Sequence, residues 1–177
     1  MPPPPATFVV GISGLSSSGK TTLSRLLRCI FPSSFILHQD DFFWPDKDIP
    51  VREDGIQDWD CVDAINWAHM SSVLEHIRTH GAPPEDLKSW QDESPIGGET
   101  DGLVEAGFME RMKTKVKESE LDEDVRIAIL DGFLMLHQDS IVEDKMDAKM
   151  LLRVPYETAK QRREARTGYV TIDGVEA

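Results

Sequence analysis

The chain has 177 residues, enough for one domain that buries a real core. It is 40% hydrophobic and 29% charged, which excludes wholesale disorder, and its 32 acidic against 19 basic side chains leave a formal charge of −13 at pH 7. Such a surface repels nucleic acid and anionic membrane, no apolar run approaches the ~20 residues of a spanning helix, and two cysteines, Cys29 and Cys61, are too few for a disulfide scaffold. The first residues carry neither a basic start nor an apolar stretch of signal-peptide length. These features predict a cytoplasmic protein that acts on a small molecule, with no nucleic acid or membrane as partner.

Pro2 to Pro5 predict an extended, disordered tail over residues 1–6. Thr7 to Ser13 is a β-branched apolar run without polar alternation, the pattern of a strand covered on both faces. It runs straight into Gly14-Leu15-Ser16-Ser17-Ser18-Gly19-Lys20-Thr21-Thr22. Leu23, Leu26, Leu27 and Ile30 then mark one helix face, which Pro32 stops. Phe35 to His38 predicts a second strand. Gln39 to Asp60 is acidic, aromatic and broken by Pro45, Pro50 and Gly55, and so predicts a long functional loop. Trp67, Met70, Leu74 and Ile77 share a helix face, so a helix is expected from about Val62 until Gly81. Residues 81–100 have the composition of a surface insertion. Val104, Phe108 and Met112 predict a helix over 102–118, and Arg126 to Gly132 and Lys149 to Val154 predict two more strands. Pro155 suits the first position of a helix running through Arg166. The alternation predicts right-handed βαβ units: a three-layer α/β/α fold around a mainly parallel sheet, one domain over 7–177, with 155–177 forming a lid and the C-terminal segment.

Gly14-x-x-x-x-Gly19-Lys20-Thr21 is the phosphate-binding pattern G-x-x-x-x-G-K-[ST]. Its glycines let backbone N–H groups turn around phosphate oxygens, its lysine meets the β- and γ-phosphates, and its threonine can ligate Mg²⁺. The helix that follows aims its positive end at the same anion. The loop therefore predicts ATP binding. Neither Asp-x-x-Gly nor Asn-Lys-x-Asp occurs, which argues against a switch GTPase. Instead Asp40-Asp41 follows the second strand, where a carboxylate can accept a hydroxyl proton and help hold Mg²⁺. Asp131 closes the third strand as a second candidate for water-mediated metal binding, or as a simple turn aspartate. Arg162, Arg163 and Arg166 form the densest basic cluster, able to clamp phosphates or, equally, to pair with Glu157 and Glu164 on a solvated helix face. Phe42, Phe43, Trp44 and Trp59-Asp60 can stack a flat ring and bond sugar hydroxyls, or simply anchor the loop.

Gly11-Ile-Ser-Gly-Leu-Ser-Ser-Ser-Gly-Lys-Thr-Thr-Leu, Gln39-Asp-Asp-Phe-Phe, Gln57-Asp-Trp-Asp, Leu130-Asp-Gly-Phe-Leu and Val154-Pro-Tyr-Glu occur in that order. Together they resemble the nicotinamide riboside kinases, a branch of the uridine kinase-like P-loop kinases, over about residues 7 to 167. The resemblance implies transfer of phosphate from Mg·ATP to the ribose 5′-hydroxyl of nicotinamide riboside, giving nicotinamide mononucleotide for NAD synthesis. It implies that Gly14, Ser16, Ser17, Ser18, Gly19, Lys20, Thr21 and Thr22 hold ATP together with Arg162 and Arg166. Thr21 and Asp40, with Asp131, would hold Mg²⁺, and Asp40 would act as the base. Asp40, Asp41, Phe42, Phe43, Trp59, Asp60 and Arg163 would surround the riboside. The family continues after its lid arginines with a Pro-Pro-Gly-Tyr-like segment, a fifth strand and a terminal helix, whereas this sequence ends at Ala177, so the sheet is expected to show four strands. A kinase for uridine or another hydroxylated metabolite, and a nucleotide-binding remnant without turnover, are the competing readings.

Overall fold

The computed structural model describes residues 7–89, 102–119, 121 and 125–165. Four strands, β1 (Thr7–Gly14), β2 (Ser34–His38), β3 (Arg126–Gly132) and β4 (Ala148–Leu152), form one sheet in the order β2-β3-β1-β4. Every pairing is parallel, with Ile12 and His38 lying opposite Asp131 from its two sides. Among the described residues this is the expected α/β architecture with four strands.

The absence of polar alternation in β1 and β3 has its cause in two cores. Val9, Leu37, Ala128 and Leu130 face α2 (Trp67–His80), where Met70, Val73, Leu74 and Ile77 are buried. Ile12, Ile127 and Ile129 face the other way, onto Leu23 and Leu27 of α1 (Lys20–Ile30). Helix α3 (Phe108–Glu118) packs beside α1 on that second side. The fourth helix, α4 (Tyr156–Glu164), follows β4.

Helix starts differ from the periodicity. Helix α2 begins at Trp67, not near Val62, because the Asn66 side chain caps it by accepting the N–H of His69 at 3.0 Å. Just upstream Ile65 pairs with Phe43 in an antiparallel bridge and so cannot be helical. Helix α3 starts at Phe108 behind a left-handed Gly107 (φ 76°), six residues later than the expected 102. Pro155 is the extended cap of α4 rather than its first turn. The tail over 1–6, most of the 81–100 insertion and the chain from Arg166 onward lie outside the described residues.

The strand order sets the position of the site. From β1 the chain crosses over β3 to reach β2, whereas from β3 it crosses over β1 to reach β4. Neighbouring strands β1 and β3 therefore leave the sheet in opposite directions, and their carboxyl ends open a crevice of the kind that receives ligands in such sheets.

Candidate active site

The phosphate-binding sequence forms the turn between β1 and α1. A Cβ at Gly14 would meet the Leu152 carbonyl at 2.6 Å, so only glycine lets the loop leave the sheet this close to β4. Gly19 caps α1 at φ 99°, in the left-handed region. Ser17 is left-handed as well (φ 62°), a conformation that costs a non-glycine residue about 1–2 kcal/mol. The Ser17 and Ser18 hydroxyls are buried with no hydrogen-bond partner among the described residues. Lys20 folds its Nζ onto the Leu15 carbonyl at 2.9 Å. No acidic residue stands in the first turn of α1, so the helix does not neutralise its own positive end. Thr21 and Thr22 sit half-buried in the same turn, and Ser16 lies half-buried on the loop.

The acids arrive from the adjacent strands. Asp131, near the end of β3, is 5% exposed; its Oδ2 has no hydrogen-bond partner among the described residues and lies 3.7 Å from Nδ1 of His38. Asp40 stands two residues past His38, in a short 3₁₀ turn over Gln39–Phe42. Its carboxyl reaches the surface, but protein atoms crowd it along the crevice wall. That loss of water, followed by the negative charge of Asp131, lifts its pKa above the ordinary aspartate value; His38 and Lys20 act against the rise, and Asp41 adds slightly to it. Asp40 thus stands within electrostatic reach of both Asp131 and Lys20 at the mouth of the crevice.

Aromatic rings line the next stretch of wall. The Phe43 ring meets Trp59 edge-on at 5.3 Å and lies 6.3 Å from Phe133. The Asp60 backbone N–H donates to Asp58 Oδ1 at 3.2 Å, which shapes the turn, and Asp60 itself is exposed. Within the acidic loop a Val51–Gln57 bridge closes the turn over 52–56. Phe42 goes elsewhere: at 1% exposure it is part of the α2-side core, edge-on to His69 at 5.3 Å. Asp41 lines a cavity of about 190 Å³ with His69, Pro84, Asp86, Leu87 and Lys88. From α4, the Nη1 of Arg162 reaches the Ser17 and Ser18 carbonyls at 3.5 Å each, whereas Arg163 is exposed and Arg166 is outside the described residues.

The structure therefore brings the phosphate loop, Asp40, Asp131, Phe43, Trp59 and Arg162 around one crevice and turns Phe42 into the core. Phe133 is an addition to the residues singled out from the sequence. In the sequence it stood only inside the Leu130-Asp-Gly-Phe-Leu motif, with no role attached to it. Among the described residues no three His, Cys, Asp or Glu side chains converge as a metal cage, and no helix is long and apolar enough to cross a membrane.

A glycine-bounded lysine loop joining a buried strand to a helix, at the switch point of a parallel sheet, defines an α/β protein of the P-loop kinase type. The chain is 36% identical over 169 residues to nicotinamide riboside kinase of Schizosaccharomyces pombe, covering 95% of this chain and 70% of the relative. It is 33% identical over 168 residues to the Saccharomyces cerevisiae enzyme of the same name, covering 94% and 68%. Human nicotinamide riboside kinase 1 is 28% identical over 160 residues, covering 90% and 65%. No protein-family model matches the chain. The chain belongs to the nicotinamide riboside kinase family, and it spans about two thirds of the length of these relatives.

Proposed function

We propose that this chain transfers the γ-phosphoryl group of ATP to the ribose 5′-hydroxyl of nicotinamide riboside, yielding nicotinamide mononucleotide, a step of NAD synthesis in the cytoplasm. The observation that supports it most is the placement of Asp40, just past β2, within electrostatic reach of Lys20 at the start of α1 and of Asp131 near the end of β3. A phosphoryl donor and an alcohol acceptor need such a facing pair, an ammonium for the developing phosphate charge and a carboxylate for the departing proton.

In this reading the backbone from Gly14 to Thr22 wraps the polyphosphate, and the Ser17 and Ser18 hydroxyls donate to its oxygens. Lys20 turns from the Leu15 carbonyl to the β- and γ-phosphates. Asp40 accepts the 5′-hydroxyl proton; its crowding and the charge of Asp131 raise its pKa, which makes it a stronger base than a free aspartate. Phe43, Trp59 and Phe133 form the wall for the flat cationic ring, and Asp60 bonds the ribose hydroxyls. Arg162 and Arg166 close on ATP, and Arg163 on the riboside side, placing positive charge over the transferring group. The donor set fits Mg²⁺. Thr21, Asp40 and Asp131 are hard oxygen donors, and Asp131 Oδ2 is buried without a hydrogen-bond partner among the described residues. Magnesium keeps several waters and phosphate oxygens, so it needs few protein ligands. When bound there it would neutralise charge on the β- and γ-phosphates.

The test is ADP release by the 177-residue chain with nicotinamide riboside or uridine at equal concentration. Release with the pyridinium riboside, slower release with uridine and none in Lys20→Ala are expected. A preference for uridine would overturn the substrate assignment. Tight ATP binding with no acceptor phosphorylated would favour a nucleotide-binding remnant.

A further inference from the structure

We infer that Gln39 is a positioning residue for the transfer reaction: its buried amide locks the turn that carries Asp40 to the peptide that carries Phe133. The inference rests on the kinase reading above and adds to it a residue with no contact to either substrate.

Gln39 is fully buried, between His38 at the end of β2 and Asp40. Its Oε1 accepts the backbone N–H of Phe133 at 2.7 Å and, more weakly, that of Leu134 at 3.4 Å. Both neighbours are donors, which fixes the amide with oxygen toward them. The approach depends on Gly132, where a Cβ would stand 2.7 Å from both Cβ and Oε1 of Gln39. From the other side, the Ser13 hydroxyl at the end of β1 donates to the Phe133 carbonyl at 3.2 Å. The residue Phe133 is thus gripped at its N–H by the turn of the base and at its C=O by the strand that feeds the phosphate loop.

Its ring, 6.3 Å from Phe43, belongs to the wall proposed for the riboside. A single side chain therefore sets Asp40 and that wall in register with the loop holding ATP. Stability alone does not account for an amide here. Gln39 Nε2 is buried with no hydrogen-bond partner among the described residues, an arrangement that folding by itself disfavours. Catalysis gives the reason, since a shift of about 1 Å between reacting groups can cost on the order of 10²-fold in rate.

Two substitutions attack the contact from opposite sides. Gln39→Met keeps the length and removes the acceptor, and Gly132→Ala pushes the amide off its donors. Each is expected to lower kcat with nicotinamide riboside at least ~30-fold while ATP affinity, set by the separate Gly14–Thr22 loop, stays within about threefold. In the unaltered protein, the Phe133 and Leu134 amides should exchange with solvent as slowly as those of β3. A folded variant with kcat within threefold of the parent, or a loss of ATP affinity in step with kcat, would overturn the inference. So would rapid exchange at Phe133, a result that decides the matter even if both variants fail to fold. An unaltered chain that phosphorylates no riboside would instead count against the kinase reading, and the exchange rates would still judge the lock.

Discussion

In the proposed reaction Asp40 carries two demands that pull against each other. As a base it must be ionised, yet its crowding and the charge of Asp131 favour the protonated form, so its folded pKa lies above its unfolded value. Between those two values the native state binds more protons than the unfolded chain. The contribution of Asp40 to stability is therefore best at low pH and is lost as pH rises through the folded pKa. Asp40→Asn removes that burden along with the proton acceptor. It is expected to lower turnover about 10²–10⁴-fold, to leave ATP affinity within threefold, and to raise the thermal midpoint at pH 7 without added metal. The gap between variant and parent should shrink as pH falls toward the ordinary aspartate range. A variant that melts below its parent at pH 7, or retains its rate, would refute this account. Asp40 was legible in the sequence because an acid directly after a buried strand has one place to go, the carboxyl edge of the sheet. Phe42 and Phe43 were not separable. Adjacent aromatics in an irregular turn have equal hydrophobicity, and only the 3₁₀ geometry sends the first into the core and the second to the crevice.

Elements were legible wherever periodicity alone creates them. All four strands fall within two residues of expectation, since a parallel strand covered on both faces reads as an unbroken apolar run. Helix beginnings were harder, because they depend on caps and on what the preceding residues pair with. Asn66 shows the mechanism: the apolar repeat extends back toward Val62, but the Asn66 side chain and the Ile65–Phe43 bridge stop it. Removing the cap with Asn66→Ala is expected to cost about 1 kcal/mol in denaturant unfolding, with riboside and ATP KM unchanged. A larger KM effect than stability effect would mean that Asn66 acts on the site and not on the helix. The left-handed Gly107 likewise delays α3, a feature that the spacing of Val104, Phe108 and Met112 does not encode.

Across the molecule, stability should follow the order of the sheet. Strand β3 pairs on both sides and is buried from Ile127 to Gly132, whereas among the described residues β4 pairs only with β1 and leaves Leu151 59% exposed. Amide exchange is expected to be slowest in β3 and β1 and faster in β4. Equal protection in β4 and β3 would show that the outer side of β4 is covered in solution. The acidic surface fits the same picture. With a net charge of −13, the overall field opposes a polyanion, so the ATP of the proposed reaction would have to be held by local geometry: the loop amides, Lys20 and the arginines of α4.

Local chemistry was decided by the amino-acid order itself: a glycine-bounded lysine loop after a buried strand, carboxylates at strand ends, and alternating strands and helices. Each follows from interactions among residues close in sequence, where steric allowance and hydrophobic period leave few alternatives. The rest required the folded molecule. The order β2-β3-β1-β4 sets His38 beside Asp131, joins Gln39 to a peptide 94 positions away, and brings Phe133 to Phe43. Such contacts join residues remote along the chain, and their selection depends on the packing of the whole sheet, which no short stretch of sequence contains.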